Sequence, residues 1–121
     1  MTITQRYMAD AVARKIKHTG RFHSGLAGFA ESHSQHQADI EKQGHHNWDT
    51  RFRQLLKKYG VATEVCAESW PGQRLKEACD ECVRCWSLTS HWNVVSAKHT
   101  GYAYDIKRGA NKVWYATGLF I

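Results

Sequence analysis

A chain of 121 residues, 42% apolar and 23% charged, has room for one domain and one hydrophobic core. Five Trp, five Tyr and four Phe exclude a disordered polymer, and no run approaches the roughly 18 apolar residues of a membrane span. Seventeen Lys and Arg against 11 Asp and Glu give a net charge of +6, which suits an acidic surface, an anionic glycan or an acidic protein partner. The basic residues are dispersed (Arg14, Lys15, Lys17; Lys57, Lys58; Lys107, Arg108, Lys112), so nucleic acid has no specific support. Met1–Asp10 holds no apolar stretch, and no secretory leader is expected.

In chain order, Met8, Ala11, Val12 and Ile16 predict an amphipathic helix over 8–18 that ends at Thr19-Gly20. Ser24 is a capping residue for a second helix, in which Leu26, Phe29, Ala30, His33, Gln37 and Ile40 fall at helical spacing; Gly44 is its expected stop. Thr50 opens a third helix with Phe52, Leu55, Leu56 and Tyr59 on one face, and Gly60 ends it. Val61, Thr63 and Val65 alternate as a short strand. Pro71 suits a first helical turn, followed by Leu75, Ala78, Cys79, Cys82, Val83 and Trp86 along one stripe. Tyr102, Tyr104 and Ile106 alternate, Arg108–Asn111 reads as a turn, and Val113, Tyr115, Thr117 and Leu119 alternate again, which predicts a hairpin. Helices followed by a small antiparallel sheet make an α+β fold, with residues 1–121 as one domain.

The four cysteines, Cys66, Cys79, Cys82 and Cys85, allow three readings. Cys79-x2-Cys82-x2-Cys85 with His91 offers four metal ligands, though thiolate knuckles bend the chain and this stretch is helical. A disulfide would most naturally join Cys66 to one helix cysteine. Buried thiols also pack simply as small hydrophobes. Eight histidines are many for this length. His45-His46 closes the second helix and His91 follows the fourth. Two separated His with a carboxylate from Glu64, Glu68, Glu77 or Glu81 are the minimal set for a zinc ion with an open position.

Ser96–Asp105 is similar to the Ser-x-His-x-x-Gly-x-Ala-x-Asp zinc signature of VanY-like peptidases. One residue, not two, separates His99 from Gly101, and no further His follows. A resemblance over residues 8–121 fits in order and spacing. Ala27–His33 through Gly44-His45-His46-Asn47, then Cys66-Ala67-Glu68-Ser69-Trp70, then Trp86–Trp92, then Gly101-Tyr-Ala-Tyr and Val113–Phe120 resemble the successive boxes of the CAP superfamily, the cysteine-rich secretory, antigen 5 and pathogenesis-related (SCP-like) domains.

That resemblance implies an α–β–α sandwich with a small antiparallel sheet between helices, and a cleft of two His and two Glu that binds a divalent metal, zinc foremost. Matched box by box, the metal set is His46, Glu68 and His91, with His45 the alternative first His and Glu81 the nearest counterpart of the second Glu. Ser90 stands where the family has Gly before its second His. The expectation is a binding or assembly module with a degenerate cleft, partnered by another protein or a second copy. Its setting would be extracellular or a particle such as a virion. A metal-dependent hydrolase using the cleft, and a basic glycan or nucleic-acid binder, are the alternatives.

Overall fold

The computed structural model describes residues 1–121. The elements are α1 (Ile3–Ala13), β1 (Arg21–Phe22), α2 (Ser24–Ile40), α3 (Trp48–Tyr59), β2 (Thr63–Glu68), α4 (Leu75–Ser87), α5 (His91–Val95), β3 (Gly101–Arg108) and β4 (Trp114–Phe120). The fold is α+β with a small sheet, as expected. The strand order is β1-β3-β4-β2. β3–β4 and β4–β2 are antiparallel, while the two-residue β1 lies parallel to the start of β3. The sheet is therefore mixed, which corrects the purely antiparallel expectation; two residues are too few to leave an alternation in the sequence.

The sheet's period-2 alternation sends its side chains into two cores. On one face Val65, Tyr104, Ile106 and Phe120 pack with Met8 and Val12 of α1 and Cys79, Cys82 and Trp86 of α4. On the other, Ala103 and Leu119 pack with Leu26 and Ala30 of α2 and Leu55 of α3. The sandwich is thus α1, α4 and α5 on one side of the sheet and α2 and α3 on the other. Close packing on the first face requires Gly118, where a Cβ would lie 2.9 Å from Tyr104 and from Val65.

Local chemistry moves several boundaries. α1 starts at Ile3 because Thr2 and Gln5 form a capping box. The cap of α2 is His23, whose Nδ1 accepts from the Leu26 N–H, rather than Ser24. Gly44 lies past the end of α2, which stops at a left-handed Glu41 (φ 54°). α3 opens at Trp48, after a left-handed Asn47, and not at Thr50; Gly60 (φ 80°) ends it as predicted. Pro71 sits in a turn before α4, which begins at Leu75. The short α5 has no counterpart among the expected elements.

Trp86 is fully buried and its indole N–H donates to the Cys66 carbonyl at 3.0 Å. Trp86→Ala removes that bond and opens a large cavity, and is expected to lower stability by about 3–5 kcal/mol in urea denaturation.

Candidate functional site

The most concentrated polar chemistry lies on the α2–α3 face, around Glu64 of β2. Helical spacing puts His33 and Gln37 four residues apart on the buried side of α2. The segment between α2 and α3 folds back over them through left-handed Glu41 and Asn47 and an extended-positive Gly44 (φ 150°). Gln37 fastens it: its Oε1 accepts from the Gly44 N–H at 3.0 Å, and its Nε2 donates to Thr117 Oγ1 of β4 at 3.0 Å. His33 Nε2 lies 2.6 Å from the Gly44 carbonyl. A carbonyl only accepts, so Nε2 carries the proton and the nearby Arg51 Nη2, 3.3 Å away, is a neighbour rather than a donor to it.

Alternation places Glu64 and Cys66 on the same side of β2. The Glu64 side chain is 1% exposed and is held by Arg51 of α3, which donates through Nη1 to Oε2 and through Nη2 to Oε1. His45 Nδ1 lies 2.9 Å from Oε1, and the Cys66 thiol lies 3.5 Å from the same oxygen. Arg51 also donates to the His46 carbonyl, at 2.8 Å from Nη2 and 3.0 Å from Nε, and its guanidinium lies 5.2 Å from the Trp48 ring centre.

Burial alone would raise the Glu64 carboxyl, but the hydrogen bonds from His45 and Arg51 and the Arg51 charge hold it below the ordinary value. Burial lowers His33 against the pull of Glu64, and burial with the charges of His36, Lys42 and Arg51 lowers His46. Burial and the adjacent Glu64 push the Cys66 thiol well up, so it stays protonated.

His33, Glu64 and Cys66 are the one group of three or more His, Cys, Asp or Glu with ligand atoms mutually within 4.8 Å, and they could hold a metal ion. An imidazole, a carboxylate and a thiol suit a borderline-soft cation by type. Their present engagements count against it. Both Glu64 oxygens already carry donors, and Arg51 brings a positive charge to the same carboxylate.

The expected cleft does not form such a group. His46 lines a pocket between α2 and α3 with Ser32, His33, His36, Asn47 and Arg51. Glu68, at the exposed end of β2, borders a different hollow with Glu81, Trp70 and Cys85. Glu81 is paired there with Arg84 at 2.7 Å. His91 starts α5 with Nδ1 2.7 Å from Thr89 Oγ1. Of the sequence-based set, only Glu68 and Glu81 border one hollow.

All four cysteines are free thiols. The disulfide reading, one of the three, is blocked by the sheet for Cys79 and Cys82. Cys66 points to the α2–α3 side, while Cys79 and Cys82 lie in the opposite core, where burial pushes Cys79 up to about 12. The packed-hydrophobe reading describes Cys79 and Cys82; Cys85 is half-buried, with its thiol on Glu81 at 3.3 Å. The helical stripe singled out His33, and Glu64 stood among the nearby acids. Nothing in the sequence marked Arg51 as their partner.

No family model and no curated protein matches the chain. No helix is long and apolar enough to cross a membrane.

Two outcomes follow from the Glu64 cluster. Arg51→Ala strands a buried carboxylate and is expected to cost about 3–5 kcal/mol, with Arg51→Lys recovering only part of it, by urea denaturation. Stability is also expected to fall with pH. Both His33 and Glu64 bind protons less readily folded than unfolded. The loss therefore begins as pH drops below the ordinary His value of about 6.5 and continues as Glu64 protonates. Asp105, raised by burial, opposes this in the carboxylate range. Urea midpoints at descending pH from neutrality read it, and a flat profile between neutrality and mildly acid pH would contradict the imidazole part.

Proposed function

We propose that the chain is a CAP-like binding or assembly module rather than an enzyme. What supports the architecture is the small sheet between two helical layers, the arrangement that the resemblance implies. The observation that carries the functional reading is the dispersal of the matched residues: His46, Glu68 and His91 do not gather into a ligand group. A hydrolase needs a metal or base beside a substrate position. The donor group already within mutual reach, His33, Glu64 and Cys66, is instead engaged in an internal ion-pair network. It anchors α3 and the 41–47 segment, as a rigid presenting surface requires.

The partner is a protein or a second copy of the chain. Exposed Trp70 and Leu88, 64% and 71% accessible, offer apolar contacts on a chain of net charge +6. Zinc at the matched cleft belongs to the hydrolase alternative.

Sedimentation equilibrium over a concentration series, with parallel assays of ester and peptide hydrolysis in added zinc, tests the choice. Concentration-dependent association that persists in Glu68→Ala and His91→Ala, without turnover, is expected. A monomer at every concentration whose zinc-dependent turnover disappears in His91→Ala would transfer the assignment to a hydrolase.

A further inference from the structure

The pocket between α2 and α3 brings His33 of the Glu64 network and His46 of the matched set together with His36, which neither reading used. His33, His36 and His46 surround one another, with ring centres 6.2 Å (His33–His36), 5.9 Å (His33–His46) and 5.6 Å (His36–His46) apart. Three imidazoles on one tetrahedral ion, at metal–nitrogen distances of roughly 2.0–2.1 Å, place their ring centres about 5–5.5 Å apart. We infer that His33, His36 and His46 form a tri-imidazole site for a divalent transition-metal cation, zinc or copper, whose fourth position opens to the solvent in the pocket. The inference goes beyond the binding-module reading and does not depend on it.

The ring nitrogens support this individually. His33 donates Nε2–H to the Gly44 carbonyl, which fixes its tautomer and leaves Nδ1 as an unprotonated donor atom with no partner. A metal-bound imidazole characteristically gives its other N–H to a carbonyl or carboxylate, and Gly44 supplies the first while Glu64 Oε1 stands 3.8 Å from the same nitrogen. The His46 Nδ1 is buried without any hydrogen-bond partner, an unmet polar atom beside the cluster. His36, one helical turn from His33, is half-buried and its ring makes no hydrogen bond.

The pocket is lined by no hydrophobic residue and has a volume of about 320 Å³, ample for an ion and water. Arg51 borders it, but its charge is matched by Glu64. The three ring nitrogens are not all within 4.8 Å of one another, so the free His36 and His46 rings turn to close on the ion. Imidazole donors without carboxylates favour zinc and copper over magnesium and calcium.

Cobalt(II) titration of the whole chain, followed by visible absorption and by competition with a chelator, tests the site. One equivalent with tetrahedral d–d bands and no thiolate charge-transfer band is expected. Affinity should fall by at least about 10–100-fold in His36→Ala and in His46→Ala and stay unchanged in Cys66→Ser. Neither the His36 nor the His46 ring holds a hydrogen bond, and circular dichroism of each variant verifies its fold; should His46→Ala unfold, His36→Ala decides alone. The site is overturned if the wild type binds no equivalent, or if His36→Ala binds as tightly as wild type. Binding that carries a thiolate band and disappears in Cys66→Ser also overturns it, and places the metal at His33, Glu64 and Cys66.

Discussion

A carboxylate at 1% exposure must be neutralised or unfold its surroundings, and the α2–α3 half of this molecule is arranged around that constraint at Glu64. The guanidinium that answers it comes from α3, so the docking of α3 is tied to the sheet by charge as well as by Leu55. The same guanidinium holds the His46 carbonyl, and Gln37 and His33 hold the backbone of Gly44. An irregular segment with three positive-φ residues is thereby kept in one path. Because every member leans on another, the network is a lock whose parts are costly to remove singly.

The sheet is also a partition. Successive residues of β2 alternate between an apolar core against α1 and α4 and the polar network against α2 and α3. The partition explains why a cysteine-rich stretch yields no bridge from Cys66 to Cys79 or Cys82. It also sets the chemistry of each thiol: two are simply packed, one is hydrogen-bonded to a buried carboxylate and one is at the rim beside Glu81.

Two kinds of histidine result. His33 and His45 are drawn toward Glu64 and help to hold the fold, whereas the rings of His36 and His46 stand with free nitrogens at a wholly polar pocket. A rigid network thus lies beneath the pocket of the proposed tri-imidazole site. It asks nothing of Glu68, Glu81 and His91.

The sequence by itself determined the parts whose cause is local. The α4 stripe from Leu75 to Trp86, the hairpin about Arg108–Asn111 and the stop at Gly60 follow from periodicity and backbone chemistry within a few residues. Even His33 was legible as a buried position on α2. Boundaries set by side-chain capping, such as Thr2 with Gln5 and His23 with Leu26, were less so, because several nearby residues could serve. Which distant side chains meet was decided only by the tertiary structure. Glu64 finds Arg51 through the docking of α3, His46 reaches His36 through the path of the 41–47 segment, and Cys66 is parted from Cys79 by the strand register. The physical reason is that a residue's face on a helix or strand is written in its spacing, whereas the partner across the gap depends on how those faces pack.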